Sequence, residues 1–360
     1  MKRPFDVPPT TSIASAPTRT IEHDRSSIAV SEVGPVPTEL LFTRSYQMKV
    51  VITGAAGFIG SNLCRFVESS HPAWEVVGLD DLSSGFASNL DGARTRLVIG
   101  SILDEPLLRE VVDGASAVVH LAARPSVPRS IEDPLKSHMV NATGTIRVLD
   151  AARNLDNPLV IVASSSSVYG ANPTLPKSES LVPMPMSPYA VSKLATEQYA
   201  LAWQYSYGIR TLAFRFFNVF GPYQAAGHAY AAVIPAFTAA ALADEPLIIN
   251  GDGLQSRDFT FVDTLCAIVT EAIAEQITSP SPVNLAFGTR TTILEVIDEI
   301  DEIVGRTSTR VHREARVGDV KHSQADNALL LSLFPGVVPV DLRTGLERTV
   351  EWMRQSSQAL

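Results

Sequence analysis

Short runs of β-branched and other apolar residues recur along the chain from residue 49, and amphipathic stretches separate them. The runs predict strands with the sequences KVVIT, EVVGLD, RLVIG, AVVHLA, LVIVASS and RTLAFRFF. Helical patterns between them occupy residues 58–69, 138–154 and 189–207. Near-continuous apolar strands spaced by helices are typical of a parallel sheet covered on both faces. The pattern therefore predicts an α/β fold built on a doubly wound parallel sheet.

The same pattern divides the chain into three parts. Residues 1–47 are rich in Pro, Ser and Thr without a helical or strand period, which predicts a flexible tail or a non-native extension. We expect residues 48–220 to hold the sheet. The later chain is irregular and rich in Ala, Gly and Pro, so residues 221–360 predict a smaller mixed α/β lobe over the carboxyl ends of the strands. Part of 255–285 is expected to return to the first domain.

Composition narrows the class of protein. Acidic residues outnumber basic ones by 38 to 29, which disfavours a nucleic-acid partner because such proteins carry a basic surface. The two cysteines, Cys64 and Cys266, cannot build a disulfide framework, so a cytoplasmic setting is favoured. Residues 216–243 lack charge but contain prolines and polar residues, and the chain's start lacks the apolar region of a secretory signal. We therefore expect no membrane association.

A glycine-rich turn follows the first predicted strand directly. In VVITGAAGFIGSNL, Gly54, Gly57 and Gly60 stand between that strand and the opening of a helix. Glycine permits a tight turn and close approach of the backbone to a pyrophosphate, and the helix N-terminus offers unpaired N–H groups. Asp80 ends the second predicted strand, where a carboxylate accepts from an adenosine ribose and repels a 2′-phosphate. These residues predict a dinucleotide site that prefers NAD to NADP.

Tyr189 and Lys193 form a Y-x-x-x-K motif on a predicted helix that Pro188 precedes. Residues four apart share one face of a helix, so we expect the lysine ammonium close to the phenol. A nearby cation favours phenolate and lowers the tyrosine pKa, as a general base requires. The motif alone also fits a half-buried tyrosine beside a solvated lysine. Ser165, in SSSSVYG, is predicted at the carboxyl edge of the same sheet.

Together these segments resemble the extended short-chain dehydrogenase/reductase family, and its nucleotide-sugar epimerase branch in particular. The resemblance extends from about residue 49 to residue 352 and rests on motifs in the family's order: TGAAGFIG, HLAA, SSSSVYG, SPYAVSKLATE, FRFFNVFGP, INGDGLQSRDF and RVGDVKHSQAD. It implies a Rossmann domain over residues 48–220, NAD as cofactor and a UDP-sugar as substrate. It also implies a homodimer formed through the helices near 138–154 and 189–207.

The resemblance assigns roles residue by residue. It implies that Tyr189 is the catalytic base, that Lys193 binds the nicotinamide ribose and that Ser165 hydrogen-bonds the reacting hydroxyl. Cofactor contacts are implied at Gly54, Gly57, Phe58, Ile59, Gly60, Asp80, Ile102, Leu121, Ala122, Ala123, Tyr189 and Lys193. Substrate contacts are implied at Ser165, Tyr189, Asn218, Arg257, Arg316, Asp319 and Ser323. In this set the two arginines would hold the diphosphate and Asp319 the uridine ribose.

The implied reaction is 4-epimerisation of a UDP-hexose through a 4-keto intermediate. Tyr189 takes the proton of the sugar 4-hydroxyl while hydride passes to NAD; the keto sugar then rotates, and hydride returns to its other face. The sequence departs from the family at two places. Ser101 replaces an acidic residue near the adenine, although Ile102 fits. Ser166 and Ser167 replace the Asp–Glu pair of related 4,6-dehydratases, which excludes dehydration.

Ser323 bears on which sugar is turned over. The family has there either a bulky tyrosine, which leaves room for a hydroxyl on carbon 2, or a small residue that admits an N-acetyl group. The serine predicts UDP-N-acetylglucosamine and UDP-N-acetylgalactosamine, and SVPRSIEDP and AYAAVIPAF resemble the N-acetyl-preferring epimerases. A UDP-glucuronate epimerase needs a cation near the FGPYQ segment, where Tyr223, Gln224 and Ala225 provide none.

Other classes of function stay open as alternatives. They are a UDP-glucose/UDP-galactose or UDP-glucuronate 4-epimerase, and a non-catalytic protein that binds NAD or a nucleotide sugar. The intact set of Ser165, Tyr189 and Lys193 argues against the last, because a binding module does not need all three. His120 and His322 lack a second ligand at plausible spacing, so we expect no metal.

Overall fold

The computed structural model of the protein describes residues 48–226, 232–314 and 321–358. The predicted tail, residues 1–47, lies outside them. The strands in the described part are β1 (Lys49–Thr53), β2 (Glu75–Asp80), β3 (Arg96–Ile99), β4 (Ala117–His120), β5 (Leu159–Ser165), β6 (Arg210–Phe216), β7 (Asn218–Phe220), β8 (Leu247–Asn250), β9 (Ser256–Arg257), β10 (Phe259–Phe261), β11 (Val283–Leu285), β12 (Thr291–Thr292) and β13 (Arg310–Arg313). The α-helices there are α1 (Phe58–Ser70), α2 (Glu105–Val112), α3 (Val127–Glu132), α4 (Pro134–His138), α5 (Gly144–Ala152), α6 (Pro188–Tyr207), α7 (Val233–Ala243), α8 (Val262–Ala274), α9 (Ile293–Val304), α10 (Ala328–Leu333) and α11 (Leu342–Gln358).

Seven parallel strands form one sheet in the order β11-β6-β5-β4-β1-β2-β3. β1 pairs with β2 on one side and with β4 on the other, so the strand order reverses between β1 and β4. Val50, Val51 and Ile52 of β1 are fully buried, as expected for a strand covered on both faces. The predicted doubly wound α/β fold is confirmed.

The helix predicted over 138–154 differs from the prediction. The chain turns helical at Pro134, and a π-helical turn over Met139–Thr143 separates α4 from α5. The carbonyl of Asn141, inside this turn, accepts from the Thr145 hydroxyl at 2.6 Å and from the Thr196 hydroxyl at 3.3 Å. Hydroxyls that bond main-chain carbonyls loosen the regular helical ladder, which gives a physical reason for the wider turn.

Later segments contribute both to this sheet and to smaller pairs of strands. β11 extends the sheet beside β6, and α8 packs against α1. Three two-stranded pairs, β7 with β10, β9 with β12 and β8 with β13, lie outside the main sheet. No helix of the described residues has the length and apolar character required to cross a membrane.

A buried polar chain joins the sheet to these later segments. Arg215 on β6 forms an ion pair with Glu197 on α6, with an Nη2–Oε1 distance of 2.6 Å and an Nε–Oε2 distance of 2.9 Å. The guanidinium lies 4.7 Å from the centre of the Tyr169 ring. Tyr169 donates to Oδ1 of Asn284 at 2.7 Å, and Asn284 donates to the carbonyl of Asp326 at 3.1 Å. Helix α6 is thus connected to the segment that follows Ser323.

Candidate active site

A cleft of about 630 Å³ opens at the carboxyl edge of the sheet, where β1, β2, β4 and β5 end. It lies where the strand order reverses, which is the place where doubly wound sheets bind ligands. The cleft brings together the predicted catalytic and cofactor residues Ser165, Tyr189, Lys193, Gly54, Gly57, Phe58, Ile59, Gly60, Asp80, Ile102, Leu121, Ala122 and Ala123.

The glycine turn after β1 leaves no room for side chains. Gly54 has φ +74°, and a Cβ there would lie 2.7 Å from the backbone nitrogen of Ala122. A Cβ on Gly60 would lie 2.1 Å from the carbonyl oxygen of Gly54. Gly57 caps α1 without a side chain, so the N–H groups of the first helical turn stay available to a ligand. This cradle fits the pyrophosphate of a dinucleotide.

Asp80 fixes the other end of the cofactor cradle. Its Oδ2 accepts from the backbone N–H of Ala56 at 2.9 Å and its Oδ1 from that of Leu82 at 2.8 Å. Burial raises the pKa of this carboxyl, and the two N–H donors oppose the rise. Ser101 lines the cleft beside Ile102, and its hydroxyl accepts from the N–H of Leu103. A carboxylate held in this way suits a ribose diol and disfavours a 2′-phosphate.

Replacing Gly60 by alanine should remove NAD from the purified protein. The wild type should carry NAD without any being added, whereas the new Cβ would force the Gly54 carbonyl out of its position. Acid extraction followed by chromatography measures the bound nucleotide. Gly336→Ala is the control, since a Cβ there meets open space. Wild-type NAD content in Gly60→Ala, or NADP in the wild-type extract, would contradict this account of the cradle.

The catalytic candidates meet where β5 ends and α6 begins. Ser165 is the last residue of β5, and its Oγ accepts from the N–H of Ser167 at 3.2 Å. Ser187 caps α6, and Pro188 starts the helix, which sets Tyr189 in the first turn. The N–H of Tyr189 donates to Oγ of Ser130 at 3.0 Å, and the side chains of Tyr189 and Ser165 both line the cleft. The cleft therefore receives a hydroxyl group from each of these two elements.

The pKa of the Tyr189 phenol differs from the sequence-based expectation. Burial raises the pKa of the Tyr189 phenol, and the hydrogen bond with Ser165 opposes the rise. Burial lowers the pKa of Lys193 to about 8, and its Nζ donates to the carbonyl of Ala163 at 2.8 Å. The expected lowering of the phenol pKa by Lys193 alone is therefore wrong, because desolvation dominates and the ammonium bonds the backbone of β5.

His120 belongs to the buried support of the site. Its Nδ1 lies 2.8 Å from Oγ1 of Thr53 and its Nε2 lies 3.1 Å from Oγ1 of Thr145. Burial, with a smaller contribution from the charge of Lys193, lowers the pKa of this imidazole to about 3. The ring is therefore neutral at physiological pH and ties β1 and β4 to α5. The described residues contain no group of three His, Cys, Asp or Glu side chains that could hold a metal.

Three predicted substrate residues gather around one short backbone segment, 256–258. Asn218 donates through its backbone N–H and its Nδ2 to the carbonyl of Asp258, at 3.2 and 3.3 Å. Arg257 donates through Nη1 to the carbonyl of Ser256 at 2.9 Å. The N–H of Ser323 donates to the same carbonyl at 3.1 Å. The structure thus brings these three residues together, and Phe217 and Val219, which flank Asn218 in the chain, line the 630 Å³ cleft.

Asp258 is a residue that the sequence reasoning missed, although it stands in the QSRDF motif. Its Oδ2 accepts from the N–H groups of Gly288 and Ala325, both at 3.0 Å, and its Oδ1 accepts from the Thr289 hydroxyl at 3.0 Å. The side chain is fully buried; burial raises its carboxyl pKa and these donors oppose the rise. One carboxylate therefore fastens the loop after β11 to the segment that carries Ser323.

Two other predicted substrate residues, Arg316 and Asp319, lie outside the described residues. Cations and carboxylates are both described near them, among them Lys321, which lies 4.0 Å from Asp252. Burial lowers the pKa of His322, and the neighbouring cations Arg290 and Lys321 lower it further. Three cations, Arg290, Lys321 and Arg257, thus lie near His322, and Asp252 opposes their effect on its pKa.

The FGPYQ segment has a fixed conformation next to the cleft. Tyr223 has φ +65°, its ring packs 5.3 Å from that of Trp352, and the Arg65 guanidinium lies 5.1 Å from its centre. Gln224 and Ala225 line the cleft with it and carry no charge. Oε1 of Gln224 is buried without a hydrogen-bond partner in the described part of the chain. This wall offers a substrate an amide but no cation.

A cation from a distant part of the chain lines the same cleft. Arg129 on α3 lines it together with Tyr189 and Gln224. In the sequence Arg129 is part of the segment SVPRSIEDP, and nothing in the local pattern shows where its side chain lies. The contact that could have indicated it, between Ser130 and Tyr189, spans 59 positions of the chain.

Comparison with known proteins places these features in a family. The model of the NAD-dependent epimerase/dehydratase family matches residues 50–286. The chain is 36% identical over 318 residues to a UDP-glucose 4-epimerase of Mycolicibacterium smegmatis, covering 86% of this chain and 100% of that protein.

Solved structures agree with this match. A UDP-N-acetylglucosamine 4-epimerase from Methanobrevibacter ruminantium, in complex with UDP-N-acetylmuramic acid, superposes with a TM-score of 0.80 at 34% identity, over 86% of this chain and 99% of that one. A UDP-glucuronic acid 4-epimerase from Bacillus cereus, in complex with UDP-glucuronic acid and NAD, gives 0.77 at 30%, over 86% and 100%.

The chain belongs to the NAD-dependent epimerase/dehydratase family. The relatives described above are UDP-sugar 4-epimerases. The predictions of the family, of an enzyme and of NAD as its cofactor are confirmed.

Proposed function

We propose that the protein interconverts UDP-N-acetylglucosamine and UDP-N-acetylgalactosamine by 4-epimerisation, with Ser165, Tyr189 and Lys193 as its catalytic residues. The observation that carries the choice of sugar is the small side chain of Ser323, which Ser256 anchors next to Arg257. The likeness to a UDP-N-acetylglucosamine 4-epimerase supports it.

The residues of the cleft divide the chemistry between them. Bound NAD would supply the hydride acceptor and, in its oxidised form, a positive charge that favours the phenolate. Tyr189 then takes the proton from the 4-hydroxyl, with Ser165 bonded to the same oxygen, and returns it to the product. Lys193, anchored on Ala163, presents its remaining N–H donors towards the cleft and so orients a ribose.

The substrate end holds the nucleotide while the sugar reacts. Arg257 and the basic residues around it fit a diphosphate, since guanidinium groups bind phosphate in two-pronged fashion. Asn218 lies on the same backbone segment and suits a phosphate or sugar hydroxyl. Arg316 and Asp319 are proposed to complete this end by resemblance to the family.

Ser323→Tyr tests the choice of sugar. The tyrosine should lower kcat/KM for UDP-N-acetylglucosamine by about tenfold or more relative to UDP-glucose. The reason is that its ring would overpack the space proposed for the N-acetyl group, and overpacking costs about 1–3 kcal/mol. Both nucleotides are assayed with both proteins. Ser332→Tyr, on the exposed face of α10, is the matched control.

Two results would decide against this substrate. An unchanged ratio of the two activities in Ser323→Tyr would mean that Ser323 selects nothing. A wild type that ignores the acetylated sugar would point to UDP-glucose and UDP-galactose as the substrates.

Assembly and location complete the proposal. Met139, beside α5, and Val191, on α6, are 45% and 53% exposed, and they supply apolar surface to the helices through which a homodimer is proposed. Cys64 and Cys266 are buried free thiols, which fits the reducing cytoplasm proposed as its location. Light scattering of the purified protein measures the assembly directly.

A further inference from the structure

Arg129 is a cation in the wall of the cleft without an ion-pair partner among the described residues. Four charged residues line this cavity: Asp80, Asp81, Arg129 and Lys193. Lys193 bonds the backbone of β5, whereas no side chain of the described residues pairs with the half-buried guanidinium of Arg129. A guanidinium keeps its charge at every working pH, so this position calls for an anion.

The backbone that carries Arg129 is held rigidly. Ser126, which caps α3, has φ +93°, a strained value for a residue other than glycine. Its Oγ accepts from the N–H of Arg129 at 3.4 Å. Arg124 precedes the helix and Asp133 follows it, and these two residues form an ion pair with an Nη1–Oδ2 distance of 3.0 Å. Strain that is fixed by surrounding contacts is typical of a ligand-binding position.

The position of α3 shows which part of a substrate Arg129 meets. Ser130, the next residue, accepts from the N–H of Tyr189, so α3 abuts the start of α6 where the catalytic phenol lies. In the proposed function the N-terminus of α1 binds the pyrophosphate of NAD and Arg257 binds the diphosphate of the substrate, so both of these anions already have partners. The anion beside Arg129 therefore belongs to the sugar itself.

We propose that Arg129 binds a carboxylate carried by the sugar, so that the cleft accepts UDP-N-acetylhexosaminuronates and prefers them to the neutral hexosamines. This inference rests on the proposed function, because Ser323 admits the N-acetyl group while Arg129 reads the group on carbon 6. A guanidinium and a carboxylate match in a bidentate geometry that a neutral hydroxymethyl group cannot reproduce. The cation absent from Gln224 and Ala225 is thus supplied by α3.

The test compares two nucleotides that differ only at carbon 6, UDP-N-acetylglucosamine and UDP-N-acetylglucosaminuronate. Their kcat/KM values are measured with the NAD-loaded wild type, Arg129→Met and Arg129→Lys. Arg109→Met, on the surface of α2, is the control. In Arg129→Met the value for the acidic sugar should fall about 10- to 100-fold, as expected for a lost charge-assisted hydrogen bond, and that for the neutral sugar by less than about twofold. Arg129→Lys should retain part of the preference.

The outcomes separate this inference from the proposed function. An equal loss for both sugars in Arg129→Met, or a wild type with no preference for the acidic sugar, would overturn the role of Arg129. Because carbon 2 is identical in the pair, that result leaves the test at Ser323 untouched. Were neither nucleotide turned over, the proposed function would fail. Titration calorimetry with the same pair would then decide on Arg129: equal affinities in wild type and Arg129→Met would reject it.

Discussion

Tyr189→Phe should lower kcat by a factor of about 10²–10⁴ while the protein remains folded and loaded with NAD, since a positioned general base contributes about that much. The phenol oxygen is the group that would take the proton, and removing it leaves the rest of the ring in place. The N–H of residue 189 still donates to Ser130, so the start of α6 is preserved. Steady-state rates, with bound NAD quantified on the same samples, measure the effect.

The matched control is Tyr205→Phe on the same helix. Tyr205 is 94% exposed and remote from the cleft lining, so losing its hydroxyl should leave the rate unchanged. A Tyr189→Phe enzyme with near wild-type turnover would remove Tyr189 from the chemistry. Loss of NAD in this variant would instead indicate that the tyrosine acts mainly in binding.

The largest effect on stability is expected at Glu197. Glu197→Ala should lower the free energy of unfolding by about 3–5 kcal/mol, because it leaves the guanidinium of Arg215 buried without its counter-charge. Side chains of both partners are almost inaccessible, and the hydroxyl of Ser164 also loses its 2.7 Å bond to Glu197. Urea denaturation of the holoenzyme at saturating NAD gives the value.

A surface ion pair provides the comparison for this prediction. Glu302 bonds Arg343 at 2.8 Å, but its side chain is 66% exposed. Glu302→Ala should therefore cost less than about 1 kcal/mol. A similar small change in Glu197→Ala would show that Arg215 finds another partner or water, and that the buried pair is not a main support of α6.

The strands of the main sheet could be predicted because each carries its signal locally. β1, β2 and β5 have the bounds that their apolar runs indicate, and α6 begins at the proline that precedes Tyr189. β11 has only three residues, too few for a periodic signal, and only its pairing with β6 makes it a strand. The π turn was likewise not predicted, since one of the two hydroxyls that bond its Asn141 carbonyl belongs to Thr196, 55 positions away.

The candidate site shows the same division. The cofactor cradle and the Tyr–Lys pair are local motifs, so spacing and residue type were sufficient to predict them. Asp258 and Arg129 act through the fold: the first binds Ala325, 67 residues away, and the second enters the cleft because Ser130 docks on α6. The pKa of Tyr189 could not be read from the motif either, because it depends on how completely the phenol is buried.

The carboxylate of Asp258 has a consequence for how sugar preference can be changed in this scaffold. The strand with Asn218, the loop at Gly288 and the segment after Ser323 all converge on this one residue. If the sugar binds as proposed, moving one of these segments to fit a bulkier or smaller sugar would strain the hydrogen bonds that Asp258 makes with the other two. A redesign that grafts another sugar specificity would therefore have to replace residues 256–326 and β7 together. The glycine turn after β1 and Asp80 could be kept unaltered.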